Sequence, residues 1–260
     1  MNTIIAEFGS KVRIDSDNQS DNDLLIISNK RNNSLISNLK FKGYSVTYYD
    51  YSKFNYLIKS GNLFCKHLEH ESNILLGNKF YFKNIFENYY PNPNFEEEIK
   101  NLKIFYNALN YLKLFSPYNK YALNDINYVN VRNVLIKRFA SSGEFIFSYS
   151  KLINRIASEL KLSKKEIQYL KFLRILKSQY RKGAYIFDEN VSSISNQILQ
   201  EYLRIEIKPY LDSINFMNLS DYHLIRLTEM FDRDLSLKFQ KIITSPNSYL
   251  ELFRKNRQFN

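Results

Sequence analysis

Phe8–Ile27 reads FGSKVRIDSDNQSDNDLLII, and the fold turns on this stretch. The apolar run Thr3–Phe8 ends at Gly9, as a short buried strand does. A polar, turn-rich segment from Lys11 to Ser20 follows, and a second apolar run, Asp23–Ser28, again has strand length. Gly9 lets a backbone approach an anion closely, the Ser10 hydroxyl can donate to one, and the N–H groups of residues 10–13 open a turn toward it. Asp21 and Asp23 stand at alternate positions of the second strand, so their carboxylates share a face. Two carboxylates that close repel unless a cation lies between them, and hard oxygen donors suit Mg²⁺ held jointly with substrate phosphates. A phosphate cradle beside such a pair is equipment for phosphoryl or nucleotidyl transfer.

The pattern FGS…SDNDLLII resembles the signature of the nucleotidyltransferase superfamily that includes DNA polymerase beta, the minimal nucleotidyltransferases and kanamycin nucleotidyltransferase. The matching positions are Phe8-Gly9-Ser10, Arg13, Ser20-Asp21 and Asp23-Leu24-Leu25, with weaker agreement to about residue 76. The resemblance implies that Gly9, Ser10, Lys11 and Arg13 bind the phosphates of an NTP. It also implies that Asp21 and Asp23 are the catalytic carboxylates holding Mg²⁺ or Mn²⁺, and that a nucleoside monophosphate passes to a hydroxyl with release of pyrophosphate.

Three positions depart from the family pattern. Asn22 stands between the carboxylates where an apolar residue is usual, and Ile14 replaces a frequent Gly after Arg13. Laid against the next strand, the third carboxylate of the family falls on Ser45, with Asp50 five positions further on. Either the general base comes from elsewhere, or the hydroxyl is activated by metal alone, or catalysis is slow or lost. The helix that many relatives carry before the first strand has no counterpart.

Working outward, Asn32–Lys42 has helical spacing and stops at Gly43, and Tyr44–Tyr49 is β-branched and aromatic, a third strand. Phe54–Lys59 and Leu63–Leu76 read as short helices. Pro91–Asn94 breaks any regular element and marks a boundary. Beyond it, helical periodicity covers Phe95–Phe115, Val129–Ala140, Glu144–Leu160, Lys164–Lys182, Ser195–Ile214 and Tyr222–Ile243, and Ser163–Glu166 forms a capping box. The expected fold is α+β: a small mixed-sheet nucleotidyltransferase domain over residues 1–90, followed by an all-α helical bundle over 95–260.

The chain of 260 residues has a net charge of +11, unevenly placed. Residues 1–100 carry 12 basic and 12 acidic side chains; the remaining 25 basic and 14 acidic ones lie beyond. Abundant Asn, Lys, Ile and Tyr with little Gly and no Trp match an AT-rich coding bias, which supplies part of that excess. The lone Cys65 excludes an internal disulfide and points to a reducing, cytoplasmic setting. No run has the length of a membrane span, so no membrane partner is expected.

Two further groups are candidate acceptor or pocket residues. His67 and Glu71 sit one helical turn apart, in a stretch resembling a helix that follows the catalytic sheet in longer relatives. A surface helix of this kind is ordinarily solvated, and the spacing is not that of a zinc-protease helix. Lys171, Arg174, Lys177 and Arg181 fall within an arc of roughly 120° on one helix, either a solvated face or a surface tracking the phosphates of RNA. Acceptors consistent with these features are an RNA end such as that of tRNA, a side chain of a partner protein, or a small molecule. Toxin–antitoxin and defence systems use relatives of the family, so that role is an expectation of the resemblance. The rival classes are a catalytically impaired nucleotide- or RNA-binding protein and a plain RNA-binding helical protein.

Overall fold

The computed structural model describes residues 3–13, 21–112 and 119–204, together with His223, Arg226 and Leu227. It is α+β, with a four-stranded mixed sheet followed by helices, and it divides into two compact units: residues 1–94 with 142–148, and residues 95–141 with 149–260. No helix among the described residues is long and apolar enough to cross a membrane.

In the first unit, strands β1 (Ile4–Phe8), β2 (Asn22–Ile27), β3 (Tyr44–Tyr49) and β4 (Ser72–Leu76) are ordered β3-β2-β1-β4. β2 pairs antiparallel with β1 and parallel with β3; helix α1 (Asn33–Phe41) makes the crossover that a parallel pair requires. Leu24–Ile27 are all buried, which explains why β2 reads as a continuous apolar run rather than an alternating one. Ile4, Ala6 and Phe8 share a face with Leu25 and Ile27. That face packs against Phe54 and Leu57 of α2 (Tyr51–Lys59), Cys65 and Leu68 of α3 (Leu63–His70), and Phe82 of α4 (Lys79–Asn84). Each large apolar side chain buried there contributes about 1.5–3 kcal/mol against exposure. Burial pushes the Cys65 thiol up to about 12, so it behaves as a small hydrophobe.

The expected helix Leu63–Leu76 is corrected. Leu63–Leu76 is a helix only to His70; Ser72–Leu76 is the edge strand β4, antiparallel to β1. Five residues with a short apolar run carry no period that separates helix from strand, and the open edge of β1 decides the matter.

The second unit contains α5 (Glu96–Leu112), α6 (Ala122–Ser141), α7 (Tyr149–Glu159), α8 (Lys164–Arg181) and α9 (Glu189–Leu203). α6 packs on α8 and α9, and the capping box of Ser163 and Glu166 starts α8. α6 begins seven residues before the expected Val129, because its early turns bury polar side chains and so hide the helical period. Asn124 donates to the Ile186 carbonyl at 2.6 Å, and Asn127 donates to the Ser195 hydroxyl at 3.0 Å. α9 begins at Glu189 rather than Ser195, because the Asp188 carboxylate accepts from the N–H groups of Asn190 and Val191. Residues 144–148, expected to be helical, are not; 142–148 belong to the first unit. The expected ends of Phe95–Phe115 and Ser195–Ile214, and most of Tyr222–Ile243, lie outside the described residues.

Candidate functional site

The site grows from the end of β1. Phe8 is the last β1 residue and pairs with Asp23 of β2. The backbone then turns through a single 3-10 turn, Gly9–Val12, whose first residue has φ +78°. A Cβ at position 9 would stand 3.3 Å from Asp23 Oδ2 and 3.8 Å from His67 Cε1. The left-handed backbone favours glycine here, and a Cβ would in addition crowd the Asp23 carboxylate, while His67 would be at ordinary contact distance. Ser10 is half-buried and Lys11 exposed on the same turn.

Glu71, the C-cap of α3, ties this turn to the helix through its backbone and its side chain. Its carbonyl accepts from the Gly9 N–H at 3.0 Å, and its carboxylate accepts from Arg13 Nη1 at 2.5 Å. His67 Nε2 lies 2.9 Å from the same carboxylate oxygen. Arg13, His67 and Glu71 side chains are only 15, 12 and 12 % exposed. Burial alone would raise the Glu71 carboxyl, but hydrogen bonds and charge from His67 and Arg13 outweigh it and hold Glu71 below the usual carboxylate range. The His67 ring stacks on Phe147 with centroids 4.5 Å apart and meets Phe8 edge-on at 6.0 Å. A solvated pair on a surface helix is thus not what His67 and Glu71 are.

The carboxylates and the positions around them also differ in their surroundings. Asp23 is half-buried and Asp21 exposed at the mouth of the sheet. Asn22 is exposed and precedes the buried run, so nothing there demands an apolar side chain. Ser45 is the direct register partner of Asp23 across the parallel β2–β3 pair, which puts a hydroxyl where a third carboxylate would stand. Asp50 is not a substitute: its carboxylate caps α2 by accepting from the Lys53 N–H at 2.6 Å. The polar stretch 14–20, with Ile14 and Ser20, lies outside the described residues.

Among the described residues no group of three or more His, Cys, Asp and Glu is gathered as a metal site. Asp23 lies in β2 and Asp21 just before it; the donors these two carboxylates offer are the hard oxygens that a divalent cation takes together with phosphate oxygens.

The basic helix divides. Lys171 is exposed and Arg174 half-buried, but Lys177 is only 5 % exposed, with its ammonium 5.4 Å from the Tyr128 ring centre. Arg181 donates at 3.0 Å to Asp125, a carboxylate 2 % exposed that also pairs with Arg226. Lys177 therefore lies in the interior of the second unit, and Arg181, 44 % exposed, is tied to a buried carboxylate. Sequence reasoning missed Phe147 and Asp125; neither carries a local signal of its partner.

No family model, curated protein or solved structure matches the chain.

Proposed function

We propose that the chain is a Mg²⁺-dependent nucleotidyltransferase: a nucleotidyltransferase domain bearing the site, followed by a helical bundle that selects the acceptor. The observation that supports this reading is the nearness of Gly9 to Asp23: a left-handed glycine at a strand end where a Cβ would crowd the Asp23 carboxylate. It supports a phosphate-binding Gly9-Ser10 turn directly beside the acidic pair.

In this reading the triphosphate of an NTP lies along the Gly9–Val12 turn, with Ser10 and Lys11 on its oxygens, while Arg13, expected from the sequence to join them, is paired with Glu71. Mg²⁺ (or Mn²⁺), held by Asp21 and Asp23, supplies charge neutralisation for the leaving pyrophosphate. The Arg13–Glu71–His67 cluster holds the turn in place against α3. The acceptor hydroxyl oxygen forms the new bond to the α-phosphorus, the bond to the β-phosphate bridge breaks, and the hydroxyl proton leaves to solvent. The acceptor we favour is an RNA end, with a partner-protein side chain as the other candidate. The setting is the cytoplasm, and a toxin–antitoxin or defence role is consistent with this chemistry.

A second reading has its own observation. Ser45 beside Asp23, with Asp50 committed to a helix cap, favours a catalytically impaired protein that binds nucleotide or RNA without transfer. Incubation with labelled NTPs, Mg²⁺ and total RNA or lysate separates the two. Label transfer that is lost in Asp21→Asn and Asp23→Asn supports the enzyme. Metal-dependent NTP binding without transfer supports the impaired protein; no NTP binding at all overturns the enzyme and the nucleotide-binding form of the second reading.

A further inference from the structure

The C-terminal end of α8 and the start of α6 build an aromatic and basic platform in the second unit. α8 stops at Gly183, φ +84°, where the Ala184 N–H donates to the Gln179 carbonyl and the Gly183 N–H to Tyr180, both at 2.9 Å. The chain then runs without regular structure to the Asp188 cap, pinned midway by the Asn124–Ile186 hydrogen bond.

The pin fixes where the rings go. Tyr185 lies 5.5 Å from Tyr121 and 6.3 Å from Tyr180, both tilted or edge-on, yet it keeps 65 % of its surface. The Lys120 ammonium is 5.6 Å from the Tyr121 ring and 5.4 Å from Phe187. Lys182, exposed, is the C-cap of α8. Of the acids on these elements, Asp188 caps α9 and Asp125 is paired with Arg181 and Arg226, while Glu189 stands exposed in the first turn of α9.

We propose that Lys120, Tyr121, Tyr180, Lys182, Tyr185 and Phe187 form a binding site for a single-stranded polynucleotide, with a base stacked on Tyr185 and phosphates on the lysines. An exposed ring braced by neighbouring rings presents a preformed π-face, and every base has a complementary one. Lysines beside it supply phosphate attraction, and the excess of 25 basic over 14 acidic residues beyond position 100 has the sign a polyanion needs. A duplex keeps its base faces stacked and unavailable, so the single strand is the fitting form. In giving the acceptor this class the inference rests on the nucleotidyl-transfer reading. The test uses neither NTP nor metal, so the two fail separately.

The experiment is fluorescence anisotropy of the full chain, in EDTA, with a labelled single strand of about 12 nucleotides. RNA and DNA versions run in parallel, at about 50 and 200 mM salt. Binding is expected to weaken about fivefold or more in Tyr185→Ala and much less in Tyr185→Phe. Lys120→Gln with Lys182→Gln is expected to flatten the salt dependence. Preference for RNA over DNA would mark contacts to the 2′-hydroxyl; equal binding would mark base and phosphate alone, and both support the site. Circular dichroism checks that the variants fold, and Tyr185→Phe keeps the proposal testable if the alanine variant does not. Absence of binding, an affinity unchanged in Tyr185→Ala, or equal binding of duplex RNA, heparin or polyglutamate would overturn it.

Discussion

Asp23 and Ser45 are register partners on adjacent parallel strands, so their side chains leave the sheet on the same face. Placing a carboxylate at Ser45 therefore places it beside Asp23. Ser45→Asp is expected to lower stability in EDTA by about 1 kcal/mol through like-charge repulsion. It is expected to raise Mn²⁺ affinity about tenfold or more by adding a charged oxygen donor. Urea unfolding with and without Mn²⁺, and calorimetric titration of Mn²⁺, check the two signs together.

Gly9→Ala combines backbone strain with crowding of Asp23, whereas Gly143→Ala at φ +84° meets nothing within 4 Å. The second variant isolates strain, at about 1–2 kcal/mol. Gly9→Ala is expected to cost more than that and to weaken metal-dependent NTP binding, which Gly143→Ala leaves intact. Denaturant unfolding and nucleotide titration of both variants measure the difference.

Arg13 and Glu71 form a pair with little solvent access, so a double-mutant cycle of Arg13→Ala and Glu71→Gln is expected to show coupling of about 1–3 kcal/mol at neutral pH. Because the folded protein holds Glu71 below the usual carboxylate range, its contribution is present above that range and is lost as pH falls through the depressed value. Repeating the cycle in acid should find the coupling gone.

Asp125 is 2 % exposed and meets two arginines, so Asp125→Asn leaves their charges without their acid. A loss of about 3 kcal/mol or more is expected in urea unfolding.

His223 stacks on Phe105 at 4.6 Å, and burial together with the Lys137 charge lowers its imidazole from 6.5 to about 4. A depressed base stabilises the fold above its unfolded value and stops doing so as pH falls toward the folded one. Thermal stability is thus expected to decline between about 6.5 and 4, and His223→Phe should flatten that decline.

The strands β1, β2 and β3 were legible because buried apolar runs and a β-branched, aromatic segment carry their own signal. Ser72–Leu76 was not, since pairing with β1 determines it. The Gly9–Asp23 approach was foreshadowed by the spacing of Gly9, Ser10, Asp21 and Asp23; the grip of Glu71 on both Gly9 and Arg13 was not, because helical spacing gives a side chain's neighbours along one helix and nothing across the sheet. The burial of Lys177 and the pairing of Arg181 with Asp125 were not legible for a related reason. Both residues sit on the charged arc of α8, but buried polar residues such as Asp125 on α6 draw charge inward.

Because residues 142–148 complete the first unit, that unit is discontinuous along the chain. The ring that stacks on His67 is encoded about eighty residues later, after all of α5 and α6. Closing so long a loop has an entropic cost that grows only slowly with length, but it imposes an order of events. On a ribosome the sheet can assemble early, while the ring stacked on His67 arrives only once position 147 has emerged. A fragment cut at the Pro91–Asn94 breaker would contain all four described strands and yet lack the ring that stacks on His67.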